Sequence, residues 1–218
     1  MFYKICGMTR QQDLDVAAEL GFALCGFIFH AQSPRGVTVR QAAALESHGM
    51  KRVGVFVEQS VQDILETVDA AGLDLVQLHG RQDEKFMNAL AERLGKERIV
   101  RVFWPERYAD KDLMLKEIEA VQPCCRLVLL DAGKTGGGHG VRLDLSFLKD
   151  GCCPAPWMLA GGLKEDVLSD LTHVPEEARP CGLDFNSGLE AAPGCKDEAL
   201  MRSLMAEAER TGLAPEPF

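Results

Sequence analysis

The chain has 218 residues, 46% hydrophobic and 26% charged, a balance that excludes disordered and fibrous classes. That length allows one domain of α/β-barrel size or two small ones. A net charge of −9 argues against a general nucleic-acid or anionic-membrane binder, while local cations and backbone amides could still hold an anionic small molecule.

Strand and helix patterns alternate from end to end. Residues 3–5 read as a short strand, and Thr9-x-x-Gln12 as a capping box opening an amphipathic helix that stops near Gly21. The continuous apolar run ALCGFIF at 23–29 suits a strand covered on both faces. Thr38-x-x-Gln41 predicts a second capping box before a helix around 40–47, and KRVGVFV at 51–57 a third strand. Ser60-x-x-Asp63 opens the next helix, ending near Gly72. Strands at 74–79 and 98–103 precede helices over 83–94 and 110–121. RLVLLD at 126–131 runs into the Gly-rich stretch AGKTGGGHG, with a short helix near 146–149. A strand at 157–162, a helix over 165–171, a strand within 182–188 and a helix over 197–210 complete the pattern, leaving 213–218 as a frayed tail.

About eight strand–helix units in ~200–250 residues predict a single (β/α)₈ barrel over 1–212, with no linker to divide it. A doubly wound sheet is the alternative, but no G-x-G-x-x-G follows the first strand. The amino terminus lacks a signal-peptide pattern, and no apolar run approaches the ~18 residues of a membrane span. Eight cysteines with no C-x-x-C spacing and no secretion signal read mostly as reduced, inert thiols of a cytoplasmic protein.

In such a barrel, chemistry collects where strands run into their following helices. Those positions hold Cys6, His30, Glu58, His79, Trp104, Asp131, Gly161, Gly162, Ser187 and Gly188. The Gly-rich turns after strands six, seven and eight suit a phosphate, because exposed backbone amides can converge on its oxygens. Taken singly, Cys6 reads as a core thiol and Arg35 as a solvated charge, while Asp131 stands open between a turn cap and a functional acid. His79 stands open between lining a pocket and satisfying a backbone hydrogen bond.

Together, KICGMT, GFIF…SPR, VGVFV, VQLHG, LLDA with its Gly-rich loop, LAGGL and LDFNSGLE…PGCKD resemble phosphoribosylanthranilate isomerase, in order from about Lys4 to Asp197. The resemblance implies the (β/α)₈ barrel and an Amadori rearrangement in tryptophan biosynthesis. The implied partner is a phosphorylated small molecule, with no cofactor and no metal; the acidic charge and lack of an apolar span already point to no nucleic-acid and no membrane partner. It makes Cys6 the general base and Asp131 the general acid, Arg35 the clamp on the anthranilate carboxylate, and Asp184 the neighbour of the substrate's amino group. Gly161, Gly162, Ser187 and Gly188 match its phosphate-binding turns; Gly138 and Gly140 in the Gly-rich loop are assigned to phosphate with them, and His79 is assigned to the substrate pocket. The roles set two expectations: burial should raise Asp131, and a cationic neighbour or helix amides should lower the Cys6 thiol from ~8.5.

The chain departs from the family pattern at His139, at Leu143-Asp144-Leu145 where an aromatic pair is usual, and at Asn186 where serine is common. Alternatives are the related Amadori isomerase of histidine biosynthesis, a phosphate-binding barrel lyase, or a non-catalytic phosphosugar-binding protein. The two enzyme alternatives typically use paired carboxylates, whereas the first strand here ends in cysteine. The assembly is left as monomer or homodimer.

Overall fold

The computed structural model describes residues 1–132 and 153–218. Eight parallel strands close into a barrel in chain order: β1 Phe2–Ile5, β2 Leu24–Ile28, β3 Lys51–Phe56, β4 Leu75–Leu78, β5 Ile99–Phe103, β6 Leu127–Asp131, β7 Trp157–Ala160 and β8 Gly182–Phe185. Closure is made by β1 against β8, which pairs Lys4 with Asp184. The described helices are α1 Gln11–Glu19, α2 Val39–Ala44, α3 Val61–Ala71, α4 Glu84–Leu94, α5 Lys111–Val121, α6 Asp166–Thr172 and α7 Glu198–Thr211. The (β/α)₈ expectation holds, while Gly138, His139, Gly140 and the helix expected near 146–149 lie outside the described residues.

Strand alternation sorts the apolar residues into two layers. Phe2, Leu24, Val53, Leu75, Val100, Leu127 and Met158 fill the barrel interior. Residues adjacent to these in the chain, such as Tyr3, Cys25, Val76, Ile99 and Val128, face outward onto the helices. Ile64 and Val68 of α3 and Met87 and Leu90 of α4 bury one face of each helix, each side chain contributing roughly 1.5–3 kcal/mol. The Thr38 and Ser60 capping boxes form, and Gly72 ends α3 in the left-handed conformation at φ 60°.

Three features depart from the sequence pattern. Thr9 does not cap α1: its hydroxyl donates to Gly194 O at 2.5 Å, and the helix opens at Arg10 without a side-chain cap. A small antiparallel pair, β9 Glu190–Ala192 and β10 Cys195–Lys196, intervenes between β8 and α7. Residues 213–218 lack regular structure but cross the N-terminal end of the barrel. There Tyr3 Oη donates to Leu213 O at 2.6 Å, Phe218 packs edge-on against Phe2 at 4.8 Å, and Arg126 lies 4.0 Å over the Phe218 ring.

Candidate active site

A cavity of about 470 Å³ opens where the strands end, a size suited to a small molecule. It is lined by Cys6 after β1, His30 and Arg35 after β2, His79 after β4, Asp131 at the end of β6, Gly161 and Gly162 after β7, and Asp184, Asn186 and Ser187 on or after β8. Residues scattered over 180 positions of chain thus meet because every strand points the same way. Glu58 is exposed and does not line the cavity. Trp104 stands behind it, its ring edge-on to His79 at 5.1 Å.

Cys6 is 5% exposed. Gly7, at φ 73°, turns the chain away beneath Arg35: a Cβ here would lie 2.8 Å from both Arg35 Cδ and Asn186 Oδ1. The expectation of a lowered Cys6 pKa is not met. Burial pushes the thiol up, and the opposing pull of the Lys4 ammonium is too small to reverse it, with Asp184 adding to the rise. Lys4 itself, 1% exposed, ion-pairs with Asp184 Oδ2 at 2.7 Å. Burial works to lower the Lys4 pKa, but Asp184 and Cys6 together raise it. The second oxygen of Asp184, Oδ1, is buried without a hydrogen-bond partner.

Asp131, 5% exposed, approaches His79 Nε2 at 3.7 Å. Burial and the nearby cations Lys4, Arg107 and Arg101 push His79 down to about 4. At neutral pH this approach therefore joins a neutral imidazole, not an imidazolium, to the carboxyl group. His79 Nδ1 lies 3.5 Å from Gln77 Nε2, and its backbone amide bonds Phe56 O at 2.8 Å, so the ring itself faces the cavity.

Arg35 is already committed along one edge. Its Nε and Nη2 reach the Glu190 carboxylate at 2.9 and 2.7 Å, which directs the remaining edge of the guanidinium toward a ligand. Glu190 also accepts from Lys196 Nζ at 3.0 Å and from the Gly194 amide at 3.1 Å. Although burial opposes ionisation, Arg35 and Lys196 hold Glu190 below the usual carboxylate range. Asn186 bonds Lys196 Nζ at 2.9 Å through Oδ1, so this departure from serine serves the same cluster.

On the opposite rim, Gly161 and Gly162 take left-handed φ values of 111° and 66°, and a Cβ on Gly161 would sit 2.6 Å from Ala132 N. Gly188 presses against the loop after β7, where a Cβ would fall 1.9 Å from Leu163 O. Among the described residues no partner takes the amides of Gly162, Ser187 and Gly188, the arrangement an anion requires.

Sequence reading missed Lys4, Gln77, Glu190 and Lys196 as parts of the site. The signal for Lys4 was available: a lysine inside a strand covered on both faces must find a buried partner. Glu190 and Lys196 carried no such signal, because the β9–β10 hairpin that brings them inward was not foreseen.

A family model described as N-(5'-phosphoribosyl)anthranilate isomerase matches residues 3–207. A protein from Desulfovibrio desulfuricans named N-(5'-phosphoribosyl)anthranilate isomerase is 46% identical over 96% of both chains. Among solved structures, phosphoribosyl anthranilate isomerase from Thermus thermophilus superposes with a TM-score of 0.79 at 28% identity, covering 96% of this chain and 99% of that one. A further isomerase structure holds reduced 1-(o-carboxyphenylamino)-1-deoxyribulose 5-phosphate; it is 26% identical, with a TM-score of 0.77 over 96% and 99% of the two chains.

Proposed function

The chain belongs to the N-(5'-phosphoribosyl)anthranilate isomerase family, and from that premise we propose that Cys6 and Asp131 are the base and acid of its Amadori rearrangement. The enzyme is an isomerase of tryptophan biosynthesis. Its substrate is a furanose whose anomeric carbon C1 carries the anthranilate nitrogen, and its product is the open-chain aminoketose. Asp131 protonates the ring oxygen, the C1–O bond breaks, and the nitrogen lone pair makes the C1=N iminium. The Cys6 thiolate then removes the C2 proton, and the C–H electrons form C1=C2 while the iminium π pair returns to nitrogen. The enolamine takes a proton at C1 and releases its hydroxyl proton, giving the ketone. The cycle closes if Cys6 returns its proton to C1 and the hydroxyl proton reaches Asp131. Only protein groups and the substrate's own nitrogen are needed.

The carrying observation is that Cys6, just past β1, and Asp131, at the end of β6, are buried in the walls of one cavity. Between them and the rims, Arg35 would hold the carboxylate with its free edge, Asp184 Oδ1 would accept the amino N–H, and the turns at Gly161, Gly162, Ser187 and Gly188 would take the phosphate. Neutral His79, whose Nε2 stands 3.7 Å from Asp131 Oδ2, would contact the ribose end. All these groups come from one chain, so a monomer or a homodimer would serve equally. Seven described cysteines are free thiols, which fits the reducing cytoplasm. Direct assay of N-(5'-phosphoribosyl)anthranilate turnover should show activity that inorganic phosphate inhibits competitively. Turnover without phosphate competition would remove the phosphate assignment, and absence of turnover would remove the reading itself.

A further inference from the structure

The reaction as derived gives no task to Lys4, although burying an ammonium inside a barrel is costly and an apolar replacement for a buried ion pair is often neutral or stabilising. Three observations place this cation. Its partner Asp184 lies beside it across the β1–β8 seam, 2.7 Å away, with the other carboxylate oxygen unsatisfied. Just past the end of β1, the Cys6 thiol borders the same buried space as this ammonium. From β2, Gly26 leaves the space the pair occupies, since a Cβ there would stand 2.7 Å from Cys6 Sγ and 3.1 Å from Lys4 Nζ.

We propose that Lys4 is a positioning residue for the base, its ammonium shared between Asp184 and Cys6 and serving as the counter-charge of the Cys6 thiolate. The inference rests on the reading of Cys6 as base. As positive charge develops on the substrate nitrogen, the unsatisfied oxygen of Asp184 turns to it, and the Lys4 charge is left to the thiolate. When the C2 proton reaches sulfur, the thiol is neutral and Lys4 returns to Asp184. No covalent bond to Lys4 forms. The charged and titratable groups whose fields reach Cys6 are Lys4 on β1, Asp184 on β8, Lys196 on β10 and the Cys25 thiol on β2. Lys196 is engaged by Glu190 and Asn186, which among the described residues leaves Lys4 as the cation nearest the sulfur's space.

The test follows alkylation of Cys6 by iodoacetamide against pH, quantified on the Cys6 peptide by mass spectrometry to separate it from the other cysteines. Lys4→Met should raise the midpoint by about one pH unit or more, and should lower kcat with little change in KM. Asp184→Asn, close to isosteric, should move the same midpoint downward, because the anion that competes for Lys4 is gone. Loosened packing would not move the midpoint in opposite directions in the two variants. Opposite shifts support the proposal, and an unmoved midpoint in Asp184→Asn, or shifts of the same sign, overturn it. An inactive Cys6→Ser alongside unmoved midpoints would sink Lys4 alone, whereas a fully active Cys6→Ser would sink the base assignment first.

Discussion

At the N-terminal end of the barrel the inward positions are Phe2, Leu24, Val53, Leu75 and Leu127, sealed from below by Phe218. At the other end the same two-residue period delivers Lys4, Cys6, His79, Asp131 and Asp184. The lower end gains from apolar burial and, among the described residues, holds no buried side-chain polar atom without a partner. The upper end keeps Gln77 Oε1 and Asp184 Oδ1 buried without partners, at a cost of about 1–3 kcal/mol for each such group. Stability is therefore concentrated at one end and reactivity at the other. Lesions at the two ends should separate in what they change.

The largest expected effect is at the upper end. Asp131→Asn should stay folded and lose ~10²–10⁴ or more in kcat/KM, because an amide cannot deliver a proton to the ring oxygen. Near-normal turnover would leave the acid unassigned. Arg35→Ala comes next, weakening kcat/KM by about 2–5 kcal/mol, with Arg35→Lys recovering only part because lysine lacks the forked edge. A change within about threefold for Arg35→Ala would mean the carboxylate is held elsewhere.

His79 couples the two properties. Its folded value of about 4 lies below the unfolded value near 6.5, so the unfolded chain binds the proton first. That stability is fully present above about pH 6.5 and drains away as pH falls toward 4. Urea unfolding at pH 7 and pH 4.5 should show His79→Asn losing about 2–3 kcal/mol less than the parent chain over that interval. Equal losses would show that His79 does not titrate as its burial demands. The smallest effect belongs to the lower end, where Phe218→Ala should cost about 1–2 kcal/mol of stability while kcat stays within about twofold. A large fall in kcat would break the separation.

The barrel was legible because apolar strands and capped helices follow one another at a steady interval, and because parallel strands bring their C-terminal ends to one face. Cys6, Arg35, Asp131 and Asp184 were legible as strand-end or loop residues within motifs, and the structure gathers them around one cavity. What the sequence hid is tertiary. Thr9 fits a capping box locally, yet the hairpin at Gly194 competes for its hydroxyl. The commitment of Arg35 to Glu190 crosses 155 residues of chain. The balance of burial against Lys4 at Cys6 depends on depth in the barrel, which no motif records.

Turnover by Cys6→Ser, measured beside its circular dichroism spectrum, bears most directly on the assignment of the base. An alcohol is far less acidic than a thiol and cannot supply the anion that removes the C2 proton. A native spectrum with kcat/KM down by ~10²–10⁴ or more is the expected result. A native spectrum with near-normal turnover would make Cys6 one more buried thiol and contradict the mechanism.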